Sequence, residues 1–290
     1  MATNHSKYIN STGTHYISNS GKDENGAYTG GKAGDQSGHE WELKAWYNRP
    51  WTVVLRFLDQ AVAETIARLG IDAALNNLIG YDQNQRNTYW TQLKAAGYDP
   101  SKITVACEED CTAGVSANVK AAGFIHGIKA LQDVSICSSR NMRSVFTKAG
   151  FVALTDSKYL TSTKYLLPGD ILLYENHHAA TNITVGSAVR NSWKPGSAAT
   201  PTPALAVPDA EKPAQQVQQI HQEKPEGPFI TITGSVNVRN GPGITYPVLG
   251  VAKRGDQLHY FGFTFPNGWF LVEYNGQLAA VSGLYGKITE

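Results

Sequence analysis

The spacing of apolar residues first follows the period of helices. In "WTVVLRFLDQAVAETIARLG", Val54, Leu58, Val62 and Ile66 recur every four residues, which predicts a helix that ends at Gly70. Three more helices are predicted in "QNQRNTYWTQLKAAG", in the segment that begins at "DCTAGV" and closes at Gly123, and in "SSRNMRSVFTKAG".

Strand patterns replace the helical period after about residue 150. The segments "FVALT", "DILLYEN" and "AATNITV" are short, apolar and β-branched, and the turn sequences "PGD" and "VGS" bound them. Helices followed by strands predict an α+β domain rather than a repeating βαβ sheet.

A proline-rich segment divides the chain. Residues 194–228 contain 7 of the 13 prolines and no aromatic residue, which predicts a semi-stiff linker. The domain before it, residues 1–193, starts with a segment rich in Gly, Ser, Asn and Thr that is predicted to form loops packed on the domain, because aromatic residues recur in it. Residues 229–290 alternate short strand-like runs with turns, which predicts a small all-β barrel.

Composition narrows the classes of function. The 290 residues are 41% hydrophobic and 17% charged with a net charge of +1, which is typical of a globular protein and gives no bias toward nucleic acid. No segment approaches the run of about 18 apolar residues that spans a bilayer, and the N-terminus lacks the pattern of a signal peptide. We therefore expect a protein that neither inserts into membranes nor binds nucleic acid. A monomer is the expected state, although composition does not determine it.

Cys111 is the first candidate for chemistry. It is one of three cysteines, an odd number that leaves at least one free thiol. Asp110 is predicted to cap the helix that Cys111 opens, and a helix N-terminus favours a thiolate and offers N–H groups to an oxyanion. Glu108 and Glu109 are expected only to line the approach to this thiol.

His178 is the matching candidate for a base. It begins the strand predicted from "HHAATNI", with His177 pointing away. A cysteine on a helix followed by a histidine on a strand is the arrangement of papain-type thiol hydrolases. Residue types alone leave open that both are ordinary core or surface residues.

Two motifs resemble those of the NlpC/P60 family of peptidoglycan hydrolases. "DCTAGV" is similar to that family's D-C-S-[GA]-[LF]-V signature, and "LLPGDILLYENHHAATNI" resembles its L-x-P-G-D-[LI] turn followed by H-[VT]-[GA]-[IM]. The resemblance runs from about residue 25 to the end and is nearest to phage and prophage lysins. It implies a papain-like fold, Cys111 as nucleophile and His178 as general base.

Other site residues follow less directly. The family commonly carries a polar residue on the next strand that orients the imidazole. A turn near Val185 would place Asn191 diagonally across from His178, which makes Asn191 the candidate. Asn182 lies roughly 13 Å along the same strand as His178, which is too far for contact. The family's Y-x-W-G-G stretch is absent, and "VACEED" stands in its place. Tyr81 is the candidate for the hydroxyl that the family has beside the thiol. The alternative is that Tyr81 is a half-buried tyrosine of the core.

Metal binding is an alternative use of the same residues. Cys107, Cys111, Cys137 and His178 together form a Cys₃His set suitable for zinc. Their spacing is loose for a zinc site, so we expect no metal and no cofactor.

The C-terminal sequence "GSVNVRNGPGITYPVLGVAKRGDQL" resembles bacterial SH3b domains. That resemblance implies binding to wall peptide or glycan, with Tyr246, Trp269 and Tyr274 as candidate contacts and core packing as the alternative role of Trp269. Residues 279–281 are Ala-Ala-Val where the family often has Gly-Trp-Val, so a degenerate spacer is the alternative.

Together these resemblances predict a peptidoglycan hydrolase, an endolysin that cleaves the stem peptide by a Cys-His mechanism. The family's usual bond implies a D-γ-glutamyl-diamino acid endopeptidase. The alternatives are an N-acetylmuramoyl-L-alanine amidase with the same residues and a noncatalytic protein that binds the cell wall. The expected partner is bacterial peptidoglycan. The protein is expected to accumulate in the cytoplasm and to reach the wall when it is released during lysis.

Overall fold

Two compact units, Met1–Pro201 and Thr202–Glu290, make up the chain. The computed structural model describes residues 3–191, 193, 228–244, 246, 248–265, 268–275 and 277–289. Except for Pro228, the predicted linker lies outside these residues. Among the described residues, no helix has the length and apolar character needed to span a membrane.

The first unit is a mixed α+β domain, in agreement with the predicted class. Its helices are α1 (His5–Ile9), α2 (Gln60–Leu75), α3 (Thr88–Ala95), α4 (Cys111–Ile125), α5 (Lys129–Gln132), α6 (Met142–Lys148) and α7 (Ser157–Leu160), with a 3-10 helix at Pro100–Lys102. Its strands are β1 (Tyr16–Ser20), β2 (Trp41–Ala45), β3 (Val53–Arg56), β4 (Ile79–Tyr81), β5 (Cys107–Glu109), β6 (Val152–Leu154), β7 (Ile171–Tyr174) and β8 (His178–Asn182).

Six of these strands form one antiparallel sheet in the order β2-β1-β8-β7-β3-β6. Strands β4 and β5 form a separate parallel pair. Helices α2 and α4 pack against each other and against the sheet, where α4 contacts β8. The main core fills the space between these helices and the sheet and includes Ile66, Val119 and Leu173.

The first predicted helix is wrong over its first part. Val53–Arg56 is a strand between β6 and β7, and all four residues are buried. A strand covered on both faces shows no alternation, so its apolar residues matched a helical spacing by coincidence. Helix α2 starts after Asp59, whose Oδ1 accepts from the N–H groups of Ala61 and Val62, and it continues through Gly70 to Leu75.

The N-terminal segment also differs from its prediction. Instead of loops alone it contributes α1 and the strands β1 and β2, and β1 lies between β2 and β8. Ile17 is fully buried there, and it pairs with Asn182 of β8. Polar residues in β1 hid this strand from a search based on apolar alternation.

The second unit is all-β. Its strands are β9 (Phe229–Ile232), β10 (Val236–Arg239), β11 (Val248–Ala252), β12 (Gln257–Thr264), β13 (Trp269–Tyr274), β14 (Gln277–Ser282) and β15 (Gly286–Thr289), with a 3-10 helix at Gly283–Tyr285. The antiparallel sheet runs β11-β10-β14-β13-β12-β9-β15. The predicted alternation of short strands with turns, and with it the all-β class of this part of the chain, is confirmed among the described residues.

Candidate functional site

Cys111 is the first residue of α4, as predicted. Asp110 caps the helix, because its Oδ1 accepts from the N–H groups of Thr112 (2.9 Å) and Ala113 (2.8 Å). Arg86 holds this carboxylate with an ion pair of 2.8 Å between Nε and Oδ2. The cap therefore uses two of the N–H donors of the first turn.

The Cys111 thiol faces β8. The backbone N–H of Ala179, the residue after His178, donates to the Cys111 sulfur. Burial and then the nearby Asp110 carboxylate raise the pKa of the Cys111 thiol to about 12, against the opposing effects of the Ala179 N–H and of Arg86. The helix start alone led us to expect a thiolate, but these surroundings favour a neutral thiol at rest.

His178 begins β8 and is buried, whereas His177 is exposed and stacks on Tyr174. The His178 ring stacks on Trp51 with 6.1 Å between ring centroids. Burial, and after it the charges of Arg49 and Lys44, lower the pKa of His178 to about 3. The imidazole is therefore neutral at rest and able to accept a proton.

Asn19 is the hydrogen-bond partner of this imidazole. Its Oδ1 lies 2.9 Å from His178 Nε2 and also accepts from the Tyr47 hydroxyl at 3.1 Å. Because an amide oxygen can only accept, Nε2 carries the proton and Nδ1 is free to act as a base.

The structure does not bring Asn191 to His178. Strand β8 has β7 on one side and β1 on the other, so no later strand can lie beside it. Asn191 lies in an exposed turn. Residue Asn182, at the far end of β8, is held by the carbonyls of Leu167 and Thr184. Asn19 thus occupies the position that the sequence assigned to Asn191.

No local signal identified Asn19. It precedes His178 by 159 residues and belongs to a strand that sequence patterns did not predict. The aromatic residues in "WYNRPW", which include Tyr47 and Trp51, were the nearest indication that this region packs around a site. Only the pairing of β1 with β8 reveals the contact.

Cys111, His178 and Asn19 open into one cleft of about 550 Å³, which Tyr81 also lines. Tyr81 is buried at the end of β4, and its hydroxyl accepts from Gln83 Nε2 at 3.1 Å. Burial and the proximity of Cys111 raise the pKa of Tyr81 above its ordinary range, so the phenol keeps its proton. The structure thus places Tyr81 beside the thiol.

Glu108 and Glu109 do not line the approach to Cys111, contrary to expectation. Their exposed fractions are only 1% and 0%, and both belong to β5 beneath the helix start. Ser20 donates to Glu109, whereas Oε1 of Glu108 is buried without a hydrogen-bond partner among the described residues. Burial raises the pKa of both carboxyls, that of Glu108 to about 8.

The Cys₃His alternative does not match the geometry. Cys107 is fully buried in the main core, and Cys137 is buried against Ser116, with 3.3 Å between the sulfur and the hydroxyl oxygen. Among the described residues, no group of three or more His, Cys, Asp or Glu side chains is arranged to hold a metal ion.

In the second unit the candidate contacts are partly packed. Tyr246 is half-buried and covers Gly241, where an added Cβ would meet its ring. Trp269 and Tyr274 are half-buried on β13, and Tyr274 packs on the core of the unit. Residues 279–281 are fully buried, so the Ala-Ala-Val sequence belongs to the core.

Comparison with family models gives two matches. Residues 17–189 match the endolysin-like domain, and residues 234–285 match the bacterial SH3 domain. A search of curated proteins found no match. The first model covers more than half of the chain and includes Asn19, Cys111 and His178. The chain therefore belongs to the endolysin-like domain family.

Proposed function

We propose that this protein is a thiol-dependent peptidoglycan hydrolase with a papain-like catalytic unit, which cleaves the stem peptide of bacterial cell walls. The endolysin-like domain together with a bacterial SH3 domain indicates a cell-wall hydrolase that binds its substrate. The observation that carries the thiol mechanism is the common cleft, in which the Cys111 sulfur accepts from Ala179 next to His178 and Asn19 fixes the imidazole.

The neutral forms of the two residues define the first step. As the Cys111 sulfur attacks the carbonyl carbon, the thiol proton moves to Nδ1 of His178, because Nε2 is held by Asn19. The oxyanion can accept hydrogen bonds from the Cys111 N–H and from the Tyr81 hydroxyl, which keeps its proton. The cap on Asp110 already uses the N–H groups of Thr112 and Ala113, so these do not contribute.

The remaining steps restore the enzyme. The tetrahedral intermediate collapses, the C–N bond breaks and His178 returns the proton to the leaving amine, which leaves a thioester on Cys111. Water then attacks the thioester with His178 as base and releases the carboxylic acid and the thiol.

The proposed bond joins D-γ-glutamate to the diamino acid. An amidase that cuts between N-acetylmuramic acid and L-alanine would use the same residues. We further propose that the protein accumulates in the cytoplasm and reaches the wall on lysis, and that it acts as a monomer.

Clearing of a suspension of purified cell walls tests the thiol mechanism. The wild type should clear the suspension and Cys111→Ala should not, whereas the matched variant Cys137→Ala, which removes a buried thiol outside the cleft, should keep its activity. Equal clearing by the wild type and Cys111→Ala would contradict the mechanism. If neither clears the walls but both bind them, the protein is a noncatalytic wall binder.

Mass spectrometry of the released fragments identifies the bond. A new N-terminus on the diamino acid supports the endopeptidase. Free N-acetylmuramic acid carboxyl groups with intact stem peptides would instead assign the amidase.

A further inference from the structure

We propose that Arg49 binds a free carboxylate of the stem peptide and thereby selects substrates whose γ-linked D-glutamate is not amidated. This inference rests on the proposed function and deepens it, because it names the chemical group that the cleft recognises. Arg49 has three properties that suit this role: its charge has no ion-pair partner among the described residues, hydrogen bonds connect it with His178, and it lines two cavities.

Among the residues that the structure describes, the guanidinium of Arg49 has neutral contacts only. Nη1 donates to the Tyr47 hydroxyl at 3.3 Å, and the group lies 5.9 Å from the centroid of the Tyr174 ring. Within the described part of the chain, no ion pair includes Arg49. A half-buried guanidinium with several free donors is suited to a carboxylate, which it can bind in a bidentate manner.

The carboxylates of the cleft do not compete for this cation. Asp23 accepts from the backbone N–H groups of Asn25 and Ala27, Glu40 accepts from Ser37, and Glu42 pairs with Lys44 at 2.6 Å. Their charges are engaged away from Arg49. Lys22 also lines the cleft, with its Nζ 5.5 Å from the centroid of the Tyr28 ring, so Arg49 is the cation that hydrogen bonds through Tyr47 and Asn19 connect with His178.

Arg49 stands close to the reacting groups. A chain of hydrogen bonds leads from Arg49 to Tyr47, from Tyr47 to Asn19 and from Asn19 to His178. A γ-linked glutamyl residue carries its α-carboxylate a few bonds from the scissile carbonyl. A substrate with that carbonyl at Cys111 can therefore present the carboxylate to Arg49 within the same cleft.

A second cavity, of about 500 Å³, also has Arg49 in its lining. Arg49 lines both cavities, together with Trp51 and Leu160 in the second one. The stem peptide is longer than the group cleaved, and it can continue past the guanidinium into this space. A residue that lines both cavities is suited to anchor an extended substrate.

Binding measurements on full-length Cys111→Ala test the proposal without turnover. The probes are two synthetic stem peptides that differ only in the α-group of the γ-linked D-glutamate, carboxylate in one and carboxamide in the other. We expect Kd for the carboxylate peptide to be roughly tenfold lower, as for one charge-assisted hydrogen-bonded pair at a half-buried site. Arg49→Gln, introduced into the same protein, should remove this preference, and Arg49→Lys should retain part of it.

Arg140→Gln is the matched control, because Arg140 is exposed and lies outside both cavities. It makes the same change in net charge and should leave the preference unchanged. A preference that survives Arg49→Gln, or the absence of any preference before substitution, would overturn the role of Arg49. Failure of the thiol mechanism is seen separately, as clearing of walls by Cys111→Ala.

Discussion

Asn19 Oδ1 lies 2.9 Å from Nε2 of His178 across two neighbouring strands of the sheet. This contact selects the tautomer of the imidazole and leaves Nδ1 for the thiol proton. Asn19 does not reach the substrate carbonyl in this mechanism, so it is a positioning residue that acts through His178.

Asn19→Ala should lower kcat on a soluble stem peptide on the order of a hundredfold with little change in KM, because a freed imidazole loses its orientation and its tautomer. Steady-state kinetics of the two parameters is the measurement, with the melting temperature as a check on folding. Asn191→Ala is the matched control, since Asn191 lies in an exposed turn, and it should behave as the wild type. The reverse ranking of the two variants would restore the original assignment of Asn191.

The pH dependence of kcat/KM should be broad. His178, with a pKa lowered to about 3, stays neutral through mildly acidic solution, and Cys111, with a pKa raised to about 12, stays a neutral thiol through mildly alkaline solution. The acid limb should therefore lie well below the ordinary histidine value of about 6.5. Hydrolysis of a soluble peptide between pH 4 and 9, with circular dichroism to confirm folding, measures the profile.

The variant Lys44→Gln should shift the acid limb of this pH profile in a defined direction. The Lys44 charge lowers the pKa of His178, so its removal should move the acid limb to higher pH by a small amount, because Lys44 is exposed and screened. A limb that already lies near 6.5 in the wild type, or one that moves to lower pH in the variant, would contradict the neutral pair.

Glu108 should make the protein less stable in alkaline solution. Its pKa is raised to about 8, first by burial and then by the carboxylates of Asp35, Glu40, Asp82 and Glu24, above an unfolded value near 4.5. Between these values the folded chain holds a proton that the unfolded chain releases, so the free energy of unfolding falls as the pH rises through this interval. Glu108→Gln stays neutral throughout.

The melting temperatures of Glu108→Gln and the wild type should therefore be similar near pH 5, and the variant should be several degrees more stable at pH 9. Differential scanning calorimetry across this range measures the difference. Glu175→Gln, at a half-exposed position, is the matched control and should show no such divergence. Parallel curves for Glu108→Gln and the wild type would show that Glu108 is ionised in the folded protein at all of these pH values.

Gly114 permits the close approach that brings Cys111 to the sheet. An added Cβ would lie 2.6 Å from the Trp41 ring and would also meet the Glu109 carboxyl, both of which are buried. Gly114→Ala should lower the free energy of unfolding by about 1–3 kcal/mol, despite the better helix propensity of alanine. It should also lower kcat, because α4 must shift and Cys111 shifts with it.

Gly70→Ala is the matched control for that prediction. Gly70 also lies inside a helix, but its nearest neighbour atoms, those of Ser18, would be 3.2 Å from the new Cβ. Chemical denaturation should show a smaller loss of stability than in Gly114→Ala and no loss of kcat. Equal effects of the two substitutions would remove the special role of the contact with Trp41.

The sequence predicted those parts of the site that local patterns encode. Asp110 is the cap and Cys111 the first residue of the same helix, so a short stretch of sequence predicts both. His178 begins a strand that has a turn signal on each side. Asn19 could not be predicted, because its role depends on a pairing between strands at opposite ends of the domain. Val53–Arg56 was assigned to a helix because a fully buried strand lacks the alternation of apolar and polar residues. Glu108 and Glu109 were expected at the approach to the thiol because charged residues are usually exposed, but both are buried.

The two units should separate binding from cleavage. Each has its own hydrophobic core, and the bacterial SH3 domain match falls entirely in the second unit. Residues 1–201 alone should hydrolyse a soluble stem peptide with the kcat/KM of the full chain but clear insoluble walls at least about tenfold more slowly, because the second unit raises the local concentration of substrate. Cosedimentation of residues 202–290 with walls checks the binding directly. Equal clearing by the truncated and full chains would show that this unit is a spacer whose aromatic residues pack internally rather than bind a ligand.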